Sequence, residues 1–174
     1  MSKARDGRWG AQIAAAALAL LAVAAHSEAR LNIRPVDAGT LRKLIRAHRG
    51  KVVLVNLWAT DCPPCLAEFR DLARLDRERR AQGLRVFALA MDPPAERARV
   101  DAFVRDQAVE FPILVRRPGD PQALIAPLDR KWRGVVPVTY IFDRGGRRLG
   151  KPLEGLTTYE QFAAAVKAPL SSRR

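Results

Sequence analysis

"VVLVNLWATDCPPCLAEF", residues 52–69, contains both cysteines of the chain, Cys62 and Cys65, and its reading decides the fold. Its first half is a continuous β-branched and apolar run with one polar interruption, Asn56. Such a run reads as a strand buried on both faces, which calls for a sheet covered by helices. After Pro63-Pro64 the pattern turns helical: Leu66, Phe69, Leu72 and Leu75 share one face, with Arg, Asp and Glu opposite, to about Gln82 before Gly83. Prolines are tolerated in a first helical turn because its N–H groups have no helical partner. Cys62 therefore stands at a helix start, where the positive helix end favours a thiolate and the Cys65 N–H can point at its sulfur. Cys65, three residues on, falls on the same side of the helix within disulfide reach. Cys62 is thus the candidate nucleophile and Cys65 the candidate resolving thiol.

Other uses of a C-x-x-C pair fare worse. A closed zinc site takes four ligands, yet beyond residue 29 the chain has no third cysteine and one histidine, His48, in an amphipathic stretch that points to solvent. A catalytic Cys–His pair meets the same shortage. A purely structural disulfide would close a very short loop and constrain the unfolded chain little. Redox chemistry of Cys62 and Cys65 is the reading retained, with no metal and no cofactor beyond the redox-active disulfide.

On either side of this stretch the chain alternates helices and strands. "GTLRKLIRAHRG" (39–50) repeats Leu41, Leu44 and Ile45 at helical spacing. "LRVFALAM" (84–91) is a second buried strand, "PPAERARVDAFVRDQAV" (93–109) a second helix behind prolines, and "FPILV" (111–115) a short third strand. "DPQALIAPLDRKW" (120–132) is a weaker helix broken by Pro127. "VTYIFDRGGRRLGKPL" (138–153) reads as a hairpin turning at Asp143–Gly146 into a polar edge strand. "TTYEQFAAAVKA" (157–168) is a closing helix with a Thr157 cap. The expected fold is a three-layer α/β domain of mixed sheet over residues 30–174.

At the N-terminus, Lys3, Arg5 and Arg8 precede an apolar run from Ala11 to Ala25. Charge, apolar run and small residues make residues 1–29 a secretory signal, cleaved after Ala29 (Ser27-Glu28-Ala29) or after Ala24 (Ala22-Val23-Ala24), with an uncleaved membrane anchor as the alternative. The run carries Gln12 and is shorter than the ~20 apolar residues a span needs. A periplasmic or otherwise exported protein is expected. The formal net charge of +13 raises the question of nucleic acid, but the basic residues are spread along the chain without an aromatic-interleaved patch. The charge reads instead as a solvated surface favouring anionic headgroups or acidic partners.

Together, "VVLVNLWATDCPPCLAEF", "GLRVFALAMD", "FPILV" and "WRGVVPVTYIFDRGG" resemble, in order and spacing, the exported thioredoxin-like proteins of the TlpA, ResA and DsbE/CcmG kind. The resemblance covers most of residues 36–168 and centres on W-A-T-x-C-P-P-C-x-x-E-F. It implies a thioredoxin fold with the TlpA-type central insertion and a dithiol that reduces disulfides in exported clients. Apocytochrome c, copper-centre assembly proteins and sulfur-oxidation enzymes are the client types implied. A membrane electron donor would re-reduce the pair, and a monomer is expected. Two positions depart from the pattern: Asp61 stands where Trp is common, and Val138 where Thr is common after the proline. Asp61 either opposes a thiolate or caps the helix.

The remaining site residues surround the pair. Glu68 falls between Leu72 and Leu75 on the apolar face of the helix, with Pro64 and Leu72 as its neighbours at four residues, so a surface ion pair does not explain it. A half-buried carboxylate there should have a raised pKa and could relay the Cys65 proton, the role the resemblance also implies. Asn56, where cytoplasmic thioredoxins carry Asp, cannot accept a proton and reads as a satisfied core hydrogen bond. Pro137 starts a strand, and the resemblance implies a cis peptide opposite the dithiol that keeps metals off the sulfurs and leaves the Val136 backbone free to pair with a client. Val136, Trp58, Pro63 and Pro64 complete the client-binding candidates, Trp58 fitting better as packing beneath the site. The rival function is a thioredoxin-fold chaperone binding copper(I) or a client without turnover, but no His or Met stands near the pair. A peroxidase lacks its T-x-x-C, because Thr60 lies two before Cys62. With Asp61 and Glu68 negative and Pro63 and Pro64 removing N–H donors, Cys62 should be weakly acidified and the potential reducing.

Overall fold

The computed structural model describes residues 32–172; the expected signal and its cleavage points lie outside them. Strands β1 (Ile33–Val36), β2 (Val52–Trp58), β3 (Leu84–Ala90), β4 (Ile113–Arg116), β5 (Val138–Phe142) and β6 (Leu153–Glu154) form one sheet in the order β1-β4-β3-β2-β5-β6. β1, β4, β3 and β2 run parallel, whereas β5 is antiparallel to β2 and β6 antiparallel to β5. The helices are α1 (Ala38–Ala47), α2 (Pro63–Arg79), α3 (Arg97–Gln107), α4 (Pro121–Ile125) and α5 (Tyr159–Ser171).

All seven residues of β2 are buried, as expected of a central strand between two helical layers. Alternate side chains feed different cores. Val52, Leu54 and Trp58 join Phe69, Leu72 and Leu75 of α2, Val100 and Val104 of α3, and Phe162 and Val166 of α5. Val53, Val55 and Leu57 join Leu41 and Ile45 of α1, Leu124 and Ile125 of α4, and Trp132. Trp58, Phe69 and Phe103 pack ring on ring, with centroids 4.7 to 5.0 Å apart.

Several elements differ from the sequence reading. β1 adds an edge strand whose Pro35 costs nothing where no outer neighbour needs its N–H. β4 begins at Ile113, since Pro112 cannot donate to the ladder. α3 opens through a 3₁₀ turn at Pro94–Glu96, and α4 stops two residues before Pro127. The hairpin return is not a continuous strand: a bridge joins Phe142 to Arg148, and pairing resumes at β6. Gly150, at φ +50°, and Pro152 interrupt it. α5 is capped by Thr158, not Thr157, with Gln161 completing a capping box, and it runs past Pro169 to Ser171.

Candidate active site

β2 ends at Trp58, and the loop that follows is pinned to the C-terminal end of β3. Asp92, 7% exposed, accepts hydrogen bonds from the Thr60 N–H at 3.1 Å and from the Thr60 hydroxyl. Arg116 of β4 donates to the carbonyls of Met91 and Asp92, each at 3.0 Å. Neither brace was evident in the sequence, although an Asp just past a parallel strand stands where open α/β sheets build sites.

This loop delivers Cys62 to the N-cap of α2, where its Sγ accepts the Cys65 N–H at 3.3 Å. The cap is thus Cys62, the candidate nucleophile, rather than Asp61, which lies exposed one residue earlier. Pro63 and Pro64 fill the first two helical positions and are exposed. Cys62 and Cys65 are joined as a disulfide, with Cys62 8% exposed and Cys65 fully buried. Cys62 thus keeps a little exposure that Cys65 lacks, an asymmetry that fits attack by the first sulfur and resolution by the second. Across from it, the Val136–Pro137 peptide is cis, and the Val136 carbonyl oxygen lies 3.7 Å from Cys62 Sγ. Trp58 is fully buried against Phe69 and Phe103, so it supports the site from below and offers a client no surface.

One turn beyond Cys65, Glu68 is 1% exposed. Antiparallel pairing sets Asn56 opposite Thr139, on the sheet face that α2 covers. Asn56 Nδ2 donates to Glu68 Oε1 at 2.6 Å and to Thr139 Oγ1 at 3.0 Å. Its Oδ1 has no partner among the described residues, so the expected core amide is satisfied on its donor side only. Glu68 Oε2 accepts the Thr157 N–H at 3.1 Å. Burial pushes the Glu68 carboxyl up to about 7, against the lowering effect of the Asn56 and Thr157 hydrogen bonds. Asp71 accepts the Tyr159 N–H at 2.9 Å, so two α2 carboxylates hold the entry to α5.

His48 is half-buried rather than solvent-facing: its Nδ1 lies 2.8 Å from the Leu44 carbonyl and its ring meets the Phe87 ring edge-on. No group of three or more His, Cys, Asp or Glu suited to a metal occurs among the described residues. None of the described helices is long and apolar enough to cross a membrane.

The model of the AhpC/TSA family matches residues 28–147. The thiol-disulfide oxidoreductase ResA of Halalkalibacterium halodurans is 34% identical over 125 residues, covering 71% of this chain and 66% of the relative. ResA of Oceanobacillus iheyensis is 31% identical over 127 residues, covering 73% of this chain and 60% of the relative. The chain thus spans less than two thirds of these relatives' lengths. Among solved structures, a thiol:disulfide interchange protein of the thioredoxin family from Chlorobium tepidum TLS superposes with a TM-score of 0.61 at 24% identity, covering 72% of this chain and 83% of that one. The fold is therefore thioredoxin-like.

Proposed function

Because the chain belongs to the AhpC/TSA family, with ResA thiol-disulfide oxidoreductases among its relatives, we propose that it is an exported protein-disulfide reductase working through Cys62 and Cys65. The observation that carries this reading is the asymmetric pair itself: a nearly buried Cys62 capping α2 opposite a cis-proline carbonyl, with Cys65 behind it.

In the reduced protein the Cys62 thiolate attacks one sulfur of a client disulfide, and the other client sulfur leaves as a thiol. Cys65 then attacks Cys62 Sγ, releasing the second client thiol and closing the Cys62–Cys65 disulfide. Two electrons and two protons pass to the client. Glu68 accepts the Cys65 proton, a task suited to a carboxyl poised near neutrality. The backbone of Val136 aligns the client beside Pro137, with Pro63 and Pro64 forming the facing rim. A dithiol donor at the membrane returns the electrons. The clients are periplasmic proteins carrying disulfides, with apocytochrome c one type suggested by the family resemblance.

Trapping tests this reading. Cys65→Ser stalls the cycle after the first attack, so cells producing it should accumulate covalent client adducts that dithiothreitol releases. Equal yields of adduct from Cys65→Ser and Cys62→Ser would contradict Cys62 as nucleophile.

A further inference from the structure

Beside the cis proline, on the sheet face opposite α2, lies a groove of about 530 Å³. Trp132, Val135 and Pro152 give it apolar walls, and Lys131, Arg133 and Lys151 stand on its rim. Its two carboxylates are Asp129 and Glu154. Asp129 is paired with Arg148 at 3.3 Å, whereas the side chains of Lys131, Arg133 and Lys151 form no ion pair among the described residues. Three exposed cations thus face one free carboxylate, Glu154.

The groove adjoins the residue that faces the disulfide. Val135 precedes the residue whose carbonyl lies 3.7 Å from Cys62 Sγ, and Val136 packs against both cores, at the seam between the two sheet faces. Gly155 N–H donates to the Pro137 carbonyl at 3.0 Å, which brings the backbone leading into Leu156 next to the same peptide. Val135 and Leu156, each 58% exposed, are the two exposed large hydrophobic residues among the described ones. Apolar side chains left in water next to the peptide that faces the disulfide mark a recognition surface, and the unpaired cations set its charge preference.

We propose that this groove binds an acidic segment of the client next to the disulfide to be reduced. The assignment rests on the reductase reading and adds the substrate class: extended chain bearing Asp or Glu beside its cysteines. Lys131, Arg133 and Lys151 attract that segment, while Val135 and Leu156 hold the residues nearest the sulfur.

Two peptides, each with one internal disulfide and differing only in Asp/Glu or Lys flanks, test it with the reduced full-length chain. Each turnover oxidises the Cys62 and Cys65 thiols to a disulfide and delivers two electrons and two protons to the peptide. The acidic peptide should react about 10-fold faster or more at ~0.01 M salt. The advantage should shrink at ~0.15 M, where the screening length falls from ~30 to ~8 Å. Lys131→Glu, Arg133→Glu and Lys151→Glu combined should invert the preference. Arg77→Glu, Arg105→Glu and Lys167→Glu, the same charge change on helices of the opposite face, should preserve it. Equal rates for the two wild-type reactions, or the same response in both triple variants, would overturn the groove while leaving the reductase reading intact. If neither peptide is reduced, the reductase reading fails, and fluorescence anisotropy of a cysteine-free acidic peptide on the oxidised chain still decides the groove. Binding weakened about 10-fold by the groove triple would support it; an unchanged Kd would refute it.

Discussion

Glu68 owes its environment to an offset of three from Cys65, which puts a carboxyl on the buried face of α2 beside the Asn56 amide. Its helical position was legible because its neighbours at i±4 are apolar or proline, leaving no surface partner. The Thr157 N–H was not, because a backbone donor 89 residues away leaves no trace in local pattern. The misplaced cap has a similar cause: Thr157 and Thr158 are adjacent, with Glu160 and Gln161 each three residues on, and the structure gives the capping box to Thr158 and Gln161 while the Thr157 N–H goes to Glu68. Since the folded Glu68 titrates near 7 and an unburied glutamate near 4.5, the unfolded chain loses this proton first. Its contribution to stability therefore falls as pH rises from about 4.5 to about 7 and is level above. Glu68→Gln should flatten that slope in denaturant titrations. It should also abolish the inflection near pH 7 in the rate of mixed-disulfide resolution. A wild-type profile in the variant would remove Glu68 from the proton path.

At the level of elements, α2 is placed by its two ends and its apolar face. Phe69 lies fully buried between Trp58, Phe103 and Phe111, so Phe69→Ala should cost about 3–5 kcal/mol. Thr158→Ala removes the α5 cap for about 1 kcal/mol, whereas Thr157→Ala keeps the N–H that Glu68 uses. Urea midpoints for the three variants check this ranking, and a Thr157→Ala loss exceeding that of Thr158→Ala would contradict it. Long elements such as α2 and β2 were readable because burial on one face imposes a helical repeat and burial on both faces a continuous apolar run. β1 was not, as four residues containing a proline are too short to show a period; β6 was read as an edge return, but longer than the two residues that pair after the broken stretch.

For the whole molecule, alternation of strands and helices followed by an antiparallel return specified the layers and the mixed sheet, because a parallel pair needs a crossover and a hairpin does not. The redox poise of the pair follows from its surroundings. One N–H, that of Cys65, serves Cys62 Sγ, the two prolines supply none, and Asp61 stands exposed one residue before Cys62. Weak thiolate stabilisation predicts a potential nearer about −270 mV than about −120 mV, measured by equilibration with a reference thiol couple. A value at the oxidising end would reverse the proposed direction of electron flow. Whether the pair turns over at all is decided by the reduction of insulin with dithiothreitol as electron source. The full-length chain should accelerate precipitation of the insulin B chain, and Cys62→Ser should abolish the acceleration. A wild-type chain that leaves insulin unreduced while its two thiols bind copper(I) tightly would contradict the account.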